Sequence, residues 1–149
     1  MVENSHLLEL YKQHGAAQDK YTYFLLAAAG AAIGFAVQKT EGLRLSWQLA
    51  SCGVAVLCWG LSFYCGCKNI SWVKASIFAN YSLLQLRQGS HPEQPPHPQL
   101  VQAAICGVES ALGKNTAKAA FYYSWQFRLL IAGAVFFIIW HIQRLAFAG

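Results

Sequence analysis

The middle of the chain holds three side chains that could bind a metal ion. His91 and His97 flank a run of prolines, and Glu93 lies between the two histidines. Imidazole and carboxylate groups are common metal ligands. The same residues have the composition of a solvated turn, and the two Pro-x-x-Pro patterns within 92–98 are short motifs that often arise by chance. We therefore expect a turn at this place and no bound metal.

Five cysteines are the other residues with chemistry of their own. Most of them lie in one apolar window, and the Cys65-Gly-Cys67 pair lacks the two-residue spacing of thioredoxin motifs and zinc ribbons. Thiols near a cytoplasmic face are kept reduced. We interpret all five as small apolar packing residues, and the full set is Cys52, Cys58, Cys65, Cys67 and Cys106.

Arg128 is an ionisable residue near the interior of an apolar window, where a charge is commonly functional. It lies about one helical turn from the end of that window, which favours a role as an interfacial anchor. No apolar window contains Asp or Glu, on which proton-coupled transporters usually rely. The sequence also lacks metalloprotease, phosphate-loop and nucleophile-elbow motifs. We therefore expect no enzyme activity, no catalytic residue and no cofactor.

The composition favours a membrane protein over a soluble domain. Of the 149 residues, 56% are hydrophobic and 11% are charged, whereas a soluble domain has about 25% charged residues. The formal net charge of +5 is scattered along the chain and forms no basic block. We therefore expect the lipid bilayer as a partner and no nucleic acid.

Three apolar windows are long enough to cross a bilayer. They cover residues 21–37, 45–67 and 125–142, and a polar, amphipathic segment, 1–20, precedes the first. We expect one domain over 1–149. Aromatic and basic side chains at the ends of the windows match the interfacial belts of membrane proteins. The expected membrane-interface anchors are Trp47, Trp125, Arg128, Trp140 and Arg144.

The distribution of basic residues predicts the orientation. If the N-terminus is inside, seven lysines and arginines lie in inner segments and three in outer segments. Cytoplasmic segments usually carry the excess. We expect a plasma or inner membrane location, with the N-terminus cytoplasmic and the C-terminus outside. The inner residues are Lys12, Lys20, Lys68, Lys74, Arg87, Lys114 and Lys118, and the outer residues are Lys39, Arg44 and Arg144.

All prolines of the chain fall within 92–98. Because proline breaks a helix interior, helix is expected to end near Gly89 and to resume near Gln99. We predict two long antiparallel helices, about Trp47–Gln88 and Gln99–Arg144, that meet at a Pro-rich tip, 89–98. The predicted fold is an all-α integral membrane protein with three transmembrane helices and a long cytoplasmic antiparallel helical hairpin over 68–124.

Each arm of the predicted hairpin has an apolar face. In the first arm, the residues at three- and four-residue steps are Ile70, Val73, Ile77, Tyr81 and Leu84. The second arm presents small residues, which would let the arms pack closely. The small residues that we expect in a helix-packing or oligomer interface are Ala104, Gly107 and Ala111.

Gly30 and Gly34 form a GxxxG motif among alanines in the first window. Small residues let membrane helices approach closely, which is how such helices associate in lipid. The contact could lie within one chain or between chains. One copy has three spans, too few to surround a pathway, so we expect self-association.

Two functions remain open. The first is a homo-oligomeric pore-forming (channel) or membrane-perturbing effector. The alternative is a non-catalytic membrane anchor or accessory subunit whose hairpin recruits a soluble or membrane protein partner. A pore should expose a polar stripe along one span. The second window offers only a thin one, consisting of Ser46, Gln48, Ser51 and Ser62.

Overall fold

The computed structural model is all-helical in the part of the chain that it describes. The backbone is described for residues 2–42, 47 and 49–146, and the side chains for 13, 15–42, 47 and 49–146. The three helices are α1 (Val2–Thr40), α2 (Leu49–Gln88) and α3 (Pro98–Ala146). By length and composition, each is long and apolar enough to span a membrane. The prediction of an all-α chain with three such helices is confirmed.

Helix α1 begins at Val2, so residues 2–20 are helical and continuous with the first apolar window. The part of α1 that could cross a membrane is Gly15–Thr40. The side chains of residues 1–12 lie outside the described residues, and with them most of the segment expected to be amphipathic. Three residues at the start of the second window also lie outside the described residues, namely Leu45, Ser46 and Gln48, as does Arg44 just before it.

The ends of α2 and α3 agree with the expected ends within two residues. Helix α2 closes at Gly89, whose φ of 71° is a left-handed conformation that glycine adopts without steric cost. The N–H of Gly89 donates to the carbonyl of Leu86 at 3.3 Å, and the N–H of Ser90 donates to that of Gln85 at 3.0 Å. These two bonds are a Schellman cap. Pro98 opens α3, where its missing N–H costs no hydrogen bond.

The chain divides into two compact units. The first consists of Met1–Gly66 with Trp125–Gly149, and the second is Cys67–Ser124. The core of the first unit joins residues from all three helices. On α2, its buried residues recur at three- and four-residue steps, which is the spacing of a coiled-coil seam. These α2 residues are Cys52, Ala55, Trp59, Ser62, Cys65 and Gly66.

The second unit packs α2 against α3 on a face that differs from the expected one. Ile77, Tyr81 and Leu84 were expected to pack internally, but they are exposed, whereas Leu83 and Leu86 are buried. Ile70 and Val73, also expected on this face, are half-buried. The prediction was therefore wrong for the three later residues, because the seam there mixes apolar with small and polar residues, which weakens its hydrophobic signal. The buried and half-buried residues of α2 in this unit include Asn69, Trp72, Ser76, Ala79, Leu83 and Leu86.

Candidate functional site

In the first unit, side chains of α2 donate hydrogen bonds to backbone carbonyls of α3. The indole N–H of Trp59 donates to the carbonyl of Leu130 at 3.2 Å. Four residues earlier on α3, the carbonyl of Gln126 accepts from the hydroxyl of Ser62 at 2.7 Å. A carbonyl already bonded within its helix has a second lone pair, so α3 remains a regular helix. The two helices run antiparallel here, because Ser62, which follows Trp59 on α2, bonds to Gln126, which precedes Leu130 on α3.

Gln126 is fully buried at the place where the three helices of the first unit meet. Its amide nitrogen, Nε2, donates to the carbonyl of Thr22 on α1 at 3.4 Å. Its Oε1 is buried and has no hydrogen-bond partner among the described residues. A β-carbon at Gly66 would lie 2.6 Å from Nε2 of Gln126 and 2.7 Å from a methyl carbon of Leu26. Gly66 on α2 therefore makes the space that this glutamine occupies.

Trp59 lies against a glycine of α3 in the same way. A β-carbon at Gly133 would lie 2.5 Å from Nε1 of Trp59. The ring of Trp59 is tilted against that of Phe137, with centroids 5.6 Å apart, and Phe137 is 5.2 Å from Trp140. Glycine at position 133 thus lets the indole reach the carbonyl of Leu130. Neither this contact nor the burial of Gln126 follows from the hydrophobic pattern of the sequence.

The expected membrane-interface anchors have different surroundings. Trp47 is 93% exposed, while Trp140 is only 3% exposed and belongs to the core of the first unit. The guanidinium carbon of Arg128 lies 5.9 Å from the ring centroid of Trp125, and that of Arg144 lies 5.8 Å from the ring of Trp140. Packing in the core is a role of Trp140 that the pattern did not predict. The anchoring role of all five residues remains a prediction.

The GxxxG face of α1 makes no contact with the rest of the described chain. A β-carbon built at Gly30 or at Gly34 would meet no atom within 4 Å. The residues that α1 buries lie on another face, and they include Leu25, Ala29 and Ala36. Gly30 and Gly34 therefore form no packing contact within the described part of the chain. A contact between chains stays a prediction.

The three small residues expected in a packing interface on α3 differ in burial. Ala104 is half-buried in the second unit, whereas Gly107 and Ala111 are exposed. A β-carbon at Gly107 would also meet no atom within 4 Å. Ala104 therefore lies at the seam between α2 and α3, and the other two lie outside it.

Two residues of the polar stripe expected of a pore, Ser51 and Ser62, are described, and both form hydrogen bonds inside the first unit. Ser62 is buried against the carbonyl of Gln126, and the half-buried Ser51 donates to Oε1 of Gln143 at 3.0 Å. Both contacts join α2 to α3. These two serines therefore hold helices together and do not form an exposed polar surface.

The residues considered for metal binding do not converge in the described part of the chain. No group of three or more His, Cys, Asp or Glu side chains lies within reach of one ion there. Nδ1 of His91 instead accepts a hydrogen bond from the backbone N–H of Glu93 at 3.2 Å. The five cysteines are free thiols, of which Cys67 and Cys106 are exposed.

The second unit also exposes apolar side chains on α2. Ile77, Phe78 and Tyr81 are adjacent on the helix surface, and Phe78 is 72% exposed. We call these three residues the exposed apolar face, and two of them, Ile77 and Tyr81, belong to the face that was expected inside the hairpin. Comparison of the chain with protein-family models, with curated proteins and with solved structures finds no significant match.

Proposed function

We propose that the protein is an integral membrane protein that crosses the bilayer three times and works without catalysis as a homo-oligomer. Support for the membrane part comes from large apolar side chains that point away from the protein on every helix. Phe24 on α1, Leu57 on α2 and Ile138 on α3 are 67%, 68% and 57% exposed. Removing such a side chain from water is worth about 1.5–3 kcal/mol. A bilayer supplies that gain where the protein interior does not.

In this proposal, residues 68–124 form a cytoplasmic hairpin, the N-terminus is cytoplasmic and the C-terminus is outside. The basic bias along the sequence supports this orientation. The antiparallel contacts of the second unit are compatible with a hairpin. Asn69 donates to the carbonyl of Ala119 at 2.8 Å, and Arg87 is paired with Glu109 at 2.6 Å.

The open face of α1 is the observation that carries self-association. Gly30 and Gly34 leave a shallow, apolar surface on a helix that could span the membrane, and no described residue covers it. In lipid, helices gain little from hydrophobicity and associate through close backbone packing. A second copy of α1 has the complementary small surface, because the motif is its own partner in a symmetric dimer.

A pore is the less supported part of the first hypothesis. Ser51 and Ser62 are engaged between helices of one chain, so a conduit would have to be lined between copies. The open α1 face offers glycine and alanine there instead of polar side chains. We therefore propose assembly as the activity and treat ion flux through reconstituted vesicles as the measurement that separates an assembly from a pore.

Substituting isoleucine at both glycines is expected to dissociate the assembly. In Gly30→Ile with Gly34→Ile, two branched side chains hold the backbones apart, and the particle mass falls to that of one chain. The fold remains intact, since neither position contacts the rest of the described chain. Detergent-corrected light scattering measures the mass, and circular dichroism confirms the helix content.

The matched control is the pair Gly53→Ile and Gly60→Ile on α2. These glycines also have open space around a β-carbon, and the substitutions add the same apolar volume. We expect the control to keep the mass of the unmutated protein. If both variants dissociate, or if neither does, the α1 face is not the contact.

The second candidate is a membrane anchor that recruits another protein. The exposed apolar face of the second unit favours it, because a group of large apolar side chains outside the apolar windows often marks an interaction site. In Ile77→Ser with Phe78→Ser, we expect a co-purifying protein to be lost while the oligomer mass stays unchanged. A co-purifying protein retained by this variant would contradict recruitment through this face.

A further inference from the structure

Two cations in the last turns of their helices point back along the helix. The ammonium nitrogen of Lys39 on α1 lies 5.5 Å from the ring centroid of Phe35, and the guanidinium carbon of Arg144 on α3 lies 5.8 Å from that of Trp140. Each ring comes four residues before its cation. Helical side chains tilt toward the N-terminus of the helix, and the ring attracts the cation. Both exposed charges therefore lie about one turn closer to the middle of the helix than their own α-carbons.

At the other end of the first unit, the same tilt directs a cation away from the middle. The guanidinium carbon of Arg128 lies 5.9 Å from the ring centroid of Trp125, which comes three residues earlier on α3. The charge of Arg128 is therefore close to the level of Trp125. Trp125 and Trp140 are fifteen residues apart, and at the helical rise this is about 22 Å.

Helix α1 gives the same length. It runs parallel to α3 in the first unit, because Thr22 accepts a hydrogen bond from Gln126 and, further along both helices, Phe35 packs against Phe137 with ring centroids 5.9 Å apart. The exposed Lys20 comes two residues before Thr22, so it lies close to the level of the first α3 ring. From Lys20 to Phe35 is again fifteen residues, or about 22 Å.

The surface of the first unit between these two levels is apolar, and we call it the apolar belt. Residues 21–38, 49–67 and 129–143 contain no Asp, Glu, Lys or Arg. The belt is therefore bounded by cations at both ends. A typical hydrocarbon core is about 30 Å thick, which exceeds the height of the belt. Its large exposed side chains include Phe24, Val54, Leu57, Ile131, Val135 and Ile138.

We propose that the first unit fits a bilayer whose hydrocarbon core is only about 22 Å thick. This inference rests on the proposed function, and it names the lipids that suit the protein, which are phospholipids with short acyl chains. A charge inside hydrocarbon is costly. In a bilayer of ordinary thickness, Lys39 and Arg144 must leave their rings and extend outward, or the lipids must become thinner around the protein. A thin bilayer avoids both costs.

Competition between lipids measures this fit on the full-length protein in vesicles. Brominated acyl chains quench tryptophan fluorescence on contact, and an unbrominated lipid restores the fluorescence in proportion to its own binding. The competing lipids are phosphatidylcholines with monounsaturated chains of fourteen to twenty-two carbons. We expect the fourteen-carbon lipid to bind about threefold more strongly than the eighteen-carbon lipid, which forms bilayers of ordinary thickness. An optimum at eighteen carbons or more, or no dependence on chain length, would overturn the proposal.

Removing the two cations that point back into the belt should shift the optimum to longer chains. In Lys39→Leu with Arg144→Leu, the uncharged surface on α1 extends from Phe35 to the next charged residue, Glu41, which adds six residues or about 9 Å. We expect the eighteen-carbon lipid then to bind about threefold more strongly than the fourteen-carbon lipid. An unchanged optimum would show that these cations do not limit the belt, against the proposal.

The matched control, Lys74→Leu with Lys114→Leu, removes the same charge from exposed positions of the second unit. We expect it to keep the optimum of the unmutated protein. An equal shift in the control would mean that net charge sets the lipid preference, which would also overturn the proposal. Lys39→Arg with Arg144→Lys keeps both cations and should keep the short-chain optimum, so the role of charge can be tested even where the leucine variant does not fold.

Failure of the proposed function gives a different result. If the protein does not cross the bilayer, alkaline carbonate extracts it from the vesicles, and both proposals are then wrong. A protein that resists extraction but binds lipids of every chain length equally contradicts only the fit to a thin bilayer.

Discussion

Gly133→Ala is expected to destabilise the protein by about 2–3 kcal/mol. The added methyl carbon would lie 2.5 Å from Nε1 and 2.6 Å from Cδ1 of Trp59, closer than non-bonded atoms approach. The indole is rigid and buried, so it can make room only by leaving the carbonyl of Leu130. The variant thus loses both the packing of the ring and its hydrogen bond.

The control for this variant is Gly53→Ala, which adds the same methyl group at an open position on α2. There we expect stability to be unchanged or slightly raised, because alanine favours helix over glycine by about 0.5–1 kcal/mol. Thermal unfolding in detergent, followed by circular dichroism, compares the two. Equal stability of the two variants would mean that Trp59 does not lie against α3 in solution.

Gln126→Glu is expected to cost about 3 kcal/mol. The two side chains have nearly the same shape, so the change isolates charge from volume. The carboxylate would be fully buried among three helices, and it would face the carbonyl of Thr22 with an acceptor in place of the amide donor. Repulsion and desolvation therefore act together at this site.

Gln126→Met is the matched variant that keeps the volume and removes the polarity. We expect its stability to stay within about 1 kcal/mol of the unmutated protein, because the hydrogen bond to Thr22 is long and the unpaired Oε1 disappears with the amide. Unfolding in increasing sodium dodecyl sulfate compares both variants. If glutamate were tolerated as well as methionine, the junction would be open to water.

The helices and their ends could be predicted because their signals are local. The prolines within 92–98 and Gly89 act on the backbone of their own segment, and the structure ends α2 and begins α3 there. Apolar windows of sufficient length likewise predict the three helices from composition alone. Neither inference requires knowledge of which helix faces pack together.

The packing faces could not be predicted, because they depend on small and polar residues. In the second unit, Asn69 is buried through its hydrogen bond to α3, while the more apolar Ile77 is exposed. A hydrophobic pattern therefore selects the wrong face beyond Val73, which is itself half-buried. The sequence signal of Gln126 is weak, because an uncharged amide in an apolar window is less unusual than a charged residue such as the nearby Arg128. The special role of Gly66 and Gly133 has no sequence signal, because glycine is common in membrane helices.

The mass of the unmutated particle tests the central claim most directly. Light scattering with refractive-index and absorbance detection separates the mass of protein from that of bound detergent. The self-associating membrane protein that we propose gives a single species at an integer multiple, of two or more, of the 16.4 kDa chain. A single species at the mass of one chain, over the whole accessible concentration range, would contradict assembly through α1.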